Sequence, residues 1–233
     1  NIAEKYEISR EDQDALALLS HQRAVSATED GRFTNQIVNI PVSQRRGDPM
    51  IVQTDEGPRS DTTMGSLSKL KAVFKEGGTV TPGNASNISD GAAAVVIMSE
   101  EKAGELGIAS CLRWRSRGAA GVDPAYYGIG PVPAVRKALK KGGIGLEDID
   151  LIELNEAFAA QVLHNIRGLQ IDLAKTNVNG SGISLGHPIG ATGAIMTVRL
   201  MEELQRRNQT MGLVTMCVGG GMGATGLFEA YNS

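Results

Sequence analysis

Three reactive side chains stand at junctions where regular structure gives way to loops. Asn155, in Asn155-Glu156-Ala157-Phe158, directly follows the acidic-aliphatic run Ile149 to Leu154. An asparagine at such a junction is either a helix cap or an amide positioned to hold a water or an oxyanion. His187 lies inside Gly180-Ser181-Gly182-Ile183-Ser184-Leu185-Gly186-His187-Pro188-Ile189-Gly190-Ala191-Thr192-Gly193. A histidine is often only a satisfied structural residue. Glycine costs roughly 0.5–1 kcal/mol inside regular structure, so this cluster implies close backbone approach to something. Cys217 ends the apolar run Leu213-Val214-Thr215-Met216 and opens onto Gly219-Gly220-Gly221. It is either a small buried hydrophobe or a tuned thiol that acts as acid and base.

The chain that must position these residues has 233 residues, 41% hydrophobic and 21% charged, which excludes disordered, collagen-like and membrane-spanning classes. A formal charge of −3 argues against nucleic acid as the main partner. Two cysteines make no disulfide framework and suit a reducing, cytoplasmic setting. Glycine is the outlier: 29 of 233 residues is about 12%, against an average near 7%. The start, Asn1 to Tyr6, lacks a basic segment, an apolar run and an initiator methionine, and reads as part of a longer chain. No window reaches eighteen apolar residues, so no membrane span is expected.

Residues 9–27 read as a helix capped by Ser9, with Glu11 and Asp12 in its first turn. Residues 33–59 read as irregular, with short strands around Ile37-Val38 and Met50-Val52, and 66–74 as a short helix. A turn-rich loop, 79–86, leads to an aliphatic stretch, 91–98, expected as a buried strand or helix, and then to a charged helix, 99–106. Strands are expected at 112–121, 149–154, 212–218 and 226–231, with helices at 131–141, 156–168 and 190–207. Strands alternating with helices indicate an α/β layer structure, and the last two strands should be antiparallel neighbours.

Two motifs are decoys. Gly221 to Gly226 matches the dinucleotide pattern GxGxxG, but the seven residues after it leave no room for the required helix and second strand. His21, His164, His187 and the two cysteines show no metal-ligand spacing, so no metal is expected.

The blocks Asn155 to Gln161, Asn179 to Gly193 and Cys217 to Gly223, in this order, resemble the last three signatures of the thiolase family. Gly83-Asn84-Ala85-Ser86 followed by Asp90 to Ala94 adds a fourth block, and the resemblance runs over essentially the whole chain. The variant around His187 looks most like bacterial broad-range β-ketothiolases. The resemblance implies the C-terminal portion of a layered α-β-α-β-α fold, with a mixed five-stranded sheet and a buried helix. It divides the chain into part of a coenzyme A-binding loop domain at 1–88, the last elements of an N-terminal core domain at 89–108, and a C-terminal core domain at 109–233.

It also implies reversible Claisen condensation and thiolysis of 3-ketoacyl-CoA with acetyl-CoA. Coenzyme A is then a substrate, with no permanently bound cofactor. On that pattern His187 deprotonates a nucleophilic cysteine and stabilises the thioester oxyanion, and Asn155 holds a water that completes this oxyanion site. Cys217 moves the proton at the α-carbon, and the Gly219 N–H serves a second oxyanion hole. Carbon-acid chemistry of this kind needs a base near neutral pKa and amides aimed at a developing enolate. Ser86 and Pro82 would follow the pantetheine arm, Arg59 and Ser66 would lie near the adenine, and Phe74 and Phe158 would wall the pocket unless they are plain core.

The family's acylated cysteine belongs to an N-terminal half that this sequence does not contain. Cys111, in Ser110-Cys111-Leu112, has none of the nucleophile's surroundings and is given no role. The expected partners are therefore that N-terminal half and acyl-CoA, in a homodimer or homotetramer. Without the N-terminal half a sizeable apolar face should be left bare. Tyr127 stands where relatives often carry Met, which bears on acyl-chain preference. The alternatives are a non-catalytic acyl-CoA-binding module or inactive fragment, a ketoacyl synthase relative and a lipid-transfer relative. Retention of Asn155, His187 and Cys217 speaks against the binder. Cys217 in place of a second histidine speaks against the synthase, and the intact Asn-Glu-Ala-Phe block against the transfer protein.

Overall fold

The computed structural model describes residues 1–108 and 112–231; Cys111 therefore lies outside the described residues. A first turn, α1 (Ile2–Lys5), precedes α2 (Arg10–Glu29). The Ser9 side chain accepts the Asp12 N–H, the capping expected from sequence. A hairpin, β1 (Ile40–Val42) and β2 (Met50–Val52), then stands apart from the core with its apolar side chains largely exposed. The helix expected at 66–74 is only the single turn α3 (Met64–Leu67). A Thr63–Ser66 capping box starts it early, and the Arg10 guanidinium takes the carbonyls of Leu67 and Leu70, so the turn does not propagate.

Residues 91–98 form neither strand nor helix, and all of them are exposed, Val96 and Ile97 by 84% and 79%. This corrects the buried element expected there: an aliphatic run becomes a strand only when another strand satisfies its backbone, and none among the described residues does so. α4 (Glu100–Glu105) follows, capped by Ser99.

The remaining elements are β3 (Leu112–Gly121), α5 (Pro131–Gly142), β4 (Leu151–Leu154), α6 (Ala159–Leu169), α7 (Gly182–Leu185), α8 (Thr192–Arg207), β5 (Met211–Val218) and β6 (Met222–Ala230). The strands form one mixed sheet in the order β3-β6-β5-β4. β6 is antiparallel to both β3 and β5, whereas β5 and β4 are parallel. The α/β layering is as expected, but among the described residues this sheet has four strands, not five.

Strand alternation builds a core on each face of the sheet. Ile152, Leu154, Leu213 and Leu227 pack with Leu16, Val135, Ala138 and Val162 from α2, α5 and α6. Leu151 and Val214 face Met196, Leu200 and Leu204 of α8 on the other side. Glycine lets α5 lie directly on the sheet: a Cβ on Gly118 would come within 2.0 Å of the Ala134 carbonyl oxygen. All four residues of the short α7 are buried.

α8 covers only the β4–β5 half of its face. Beyond it lies an open cleft of about 580 Å³, lined by Trp114, Arg117, Met216 and Phe228. Trp114 is 55% exposed there, in line with the bare apolar face expected from sequence. No helix among the described residues is long and apolar enough to cross a membrane.

Candidate active site

Asn155 is the first residue beyond β4. Its N–H continues the ladder to the Thr215 carbonyl (3.0 Å), and its side chain is fully buried. The capping reading fails, because α6 begins after Phe158 and Asn155 makes no capping bond. Instead Nδ2 lies 3.3 Å from His187 Nε2, while Oδ1 is buried without a partner.

The loop that delivers His187 is anchored from beneath. The Glu156 carboxylate accepts from the Ser20 hydroxyl (2.5 Å), from Asn177 Nδ2 (2.9 Å) and from the Ile183 N–H (3.4 Å). α2, the 177–180 turn and α7 thereby converge on the strand end. Gly186, at φ +91°, then turns the chain into a conformation that L side chains rarely adopt.

His187 Nδ1 sits 2.7 Å from Thr192 Oγ1, whose own hydroxyl proton goes to the Pro188 carbonyl (2.9 Å). The Thr192 oxygen therefore accepts, Nδ1 carries the proton, and Nε2 keeps its lone pair. Burial holds the imidazole below its ordinary pKa, so it is a neutral base at pH 7.

Cys217, on β5, points its Sγ at Gln161 Oε1 (3.3 Å). Gln161 Nε2 donates to the Asn155 backbone carbonyl (3.2 Å), which joins the thiol to the strand end carrying Asn155. Burial pushes the thiol up to about 11. Gly219 lies in the exposed turn between β5 and β6; among the described residues nothing stands within 4 Å of where its Cβ would be, and its N–H has no backbone acceptor. The GxGxxG decoy is this same turn running into β6.

Arg59, Ser66 and Pro82 line one cleft of about 300 Å³, together with His21 and Asp61. The Arg59 N–H donates to His21 Nδ1 (3.2 Å), and its guanidinium makes no hydrogen bond among the described residues. The Ser66 hydroxyl is committed to its capping box. Ser86 does not line this cleft; its N–H bonds the Ala157 carbonyl (2.9 Å), beside Phe158. Phe74 and Phe158 meet edge-on, centroids 5.9 Å apart at 75°. At 71% exposure Phe74 is not core.

Sequence reasoning missed Thr192, Gln161 and Glu156 as partners of the site, although all three lie within the blocks that drew attention. Among the described residues no group of three or more His, Cys, Asp or Glu side chains converges as a metal site would require.

The family model for the thiolase C-terminal domain matches residues 108–230, and that for the thiolase N-terminal domain matches residues 1–101. An acetyl-CoA acetyltransferase of Pseudomonas aeruginosa is 54% identical over 223 residues, 96% of this chain and 57% of that protein. The crystal structure of the Bacillus anthracis acetyl-CoA acetyltransferase superposes with a TM-score of 0.97 at 51% identity, covering 99% of this chain and 58% of that one. Human mitochondrial 3-ketoacyl-CoA thiolase in complex with CoA gives 0.91 at 43% identity, covering 99% and 57%. The chain thus spans somewhat under three fifths of the length of these relatives. The chain belongs to the thiolase family.

Proposed function

We propose that the chain carries the base, the oxyanion donors and the second thiol of a thiolase that condenses or cleaves 3-ketoacyl-CoA with acetyl-CoA. The observation that carries this reading is His187: one tautomer, with an unprotonated Nε2 facing the buried Asn155 amide at 3.3 Å. Nε2 takes the proton of an acyl-accepting cysteine supplied by the N-terminal half of the protein. Once protonated, Nε2 no longer accepts the Asn155 N–H, so two donors become free together for the oxygen that gains charge as the thioester is attacked. The unpartnered Asn155 Oδ1 offers an ordered water its acceptor.

In cleavage Cys217 gives its proton to the α-carbon of the departing acetyl-CoA enolate; in condensation it removes that proton. The Gly219 N–H faces the enolate oxygen. A thiol lifted to about 11 by burial suits the donor role in the resting protein.

Coenzyme A enters as substrate over Arg59, Ser66, Pro82 and Ser86, with Phe74 and Phe158 along its arm. The division at 1–88, 89–108 and 109–233, assembly as a homodimer or homotetramer, and a cytoplasmic setting belong to the same proposal. The non-catalytic binder is not favoured, because acyl-CoA binding needs neither the Thr192-locked tautomer nor the Cys217–Gln161 contact. The test is thiolysis of acetoacetyl-CoA by the full-length protein. His187→Ala should lower kcat by about 10²-fold or more, with acetoacetyl-CoA binding retained. Unchanged kcat would overturn the assignment.

A further inference from the structure

We propose that Gln161 is a positioning residue for Cys217, its amide aiming the thiol proton and locking the thiol to the strand end that carries Asn155. The inference rests on the thiolase reading above, but its geometry stands apart from it. Gln161 is 2% exposed. A peptide carbonyl can only accept, so the Asn155 carbonyl at 3.2 Å takes an N–H and the Gln161 amide has one permitted orientation. Its other end, Oε1, then faces Sγ at 3.3 Å. Oε1 can only accept, so the sulfur must be the donor and its proton lies along that line. A thiolate in the same place would meet oxygen lone pairs.

The rotamer is held as firmly as the amide. The backbone of the 124–129 turn presses on Gln161, and a Cβ on Gly128 would come within 2.7 Å of Gln161 Cβ. The Gly128 carbonyl is itself held by Asn165 Nδ2 (3.1 Å), one turn along α6. The chain of contacts thus runs from the turn, through Gln161, to both the thiol and Asn155. A glutamine buried only for packing would need one orientation for its own hydrogen bonds, but would leave the thiol's chemistry unchanged.

The experiment reads the Cys217 S–H stretching band of the full-length protein by infrared difference against Cys217→Ser. It is paired with α-deuterium exchange of acetyl-CoA. In Gln161→Met the band should move to higher wavenumber, because the S–H loses its acceptor. Exchange should fall about tenfold, with KM for acetyl-CoA within about twofold. Gln161→Glu, which keeps an acceptor oxygen at the same reach, should hold the band low. If Gln161→Met fails to fold, Gln161→Asn withdraws the carbonyl by one methylene and should raise the band likewise. A band at the wild-type position in folded Gln161→Met or Gln161→Asn overturns the proposal. Absence of exchange in the wild-type protein would count against the thiolase reading, while the band would still decide the role of Gln161.

Discussion

Replacing Glu153 with glutamine should stabilise the fold near neutral pH and destabilise it by about 1–2 kcal/mol in mild acid, where the protonated carboxyl carries no penalty but the glutamine amide still does. Glu153 points from β4 toward α8, is 3% exposed, and has one carboxyl oxygen without a partner. Burial pushes its carboxyl up to about 8; Arg199 pulls the other way, and Glu156 and Glu203 add to the rise. Arg199 is also buried, yet among the described residues neither it nor Glu153 makes an ion pair.

A carboxyl raised in this way binds its proton more tightly folded than unfolded. The fold therefore loses stability as pH climbs from the ordinary value of 4.5 to about 8, with no penalty below that window and the full penalty above it. Each pH unit spent protonated costs about 1.4 kcal/mol, so at pH 7 the ceiling is about 3 kcal/mol. A buried glutamine amide leaves its own polar atoms to satisfy, at about 1–2 kcal/mol. The expected net gain at pH 7 is therefore about 1–2 kcal/mol, which corresponds to a Tm increase of roughly 2–8 °C for a chain of this size. The assay is the difference in urea or thermal stability between Glu153→Gln and wild type at pH 4.5, 6, 7 and 8. If Glu153 is instead ionised and paired with Arg199, the substitution strands a buried guanidinium and costs about 3–5 kcal/mol. A destabilised variant at pH 7 would refute the reasoning.

Thr192→Val removes the acceptor of the His187 Nδ1–H. With about 1 kcal/mol of orienting hydrogen bond lost, thiolysis should slow by about fivefold to tenfold, and nitrogen NMR should show both imidazole tautomers; a single unchanged tautomer would contradict the assignment. Gly118→Ala drives a methyl group into the Ala134 carbonyl, so α5 must lift from the sheet. The cost should be about 2–4 kcal/mol, read as a lowered urea midpoint with little change in slope.

Much of the frame was legible because it rests on local rules. Ser9 caps α2 as its position before Glu11 and Asp12 implies, and the two apolar runs around the glycine turn pair as β5 and β6. The order Asn155, His187, Cys217 could be read from residue type beside strand ends and glycines. The side chains that make a site of them could not. Thr192 is an unremarkable helix residue until the turn at Gly186 folds His187 back over it, and Gln161 looks like one more polar residue of α6 until β5 brings Cys217 opposite. The second contact is set by the register of β4 against β5, which no local pattern encodes. The stretch at 91–98 failed for the opposite reason: its composition suits a buried strand or helix, but either needs neighbours to cover it. The cleft of Arg59, Ser66 and Pro82 draws on α3 and the loops on either side of it, and only the family resemblance pointed to it.

The most direct test of the central claim separates the two half-reactions in the full-length protein carrying Cys217→Ser. Acyl transfer from acetyl-CoA to the enzyme, which draws on His187 and Asn155, should persist. Exchange of the acetyl-CoA α-protons with deuterated solvent should fall by about 10²-fold or more. Exchange at the wild-type rate, with acylation equally intact, would contradict the account.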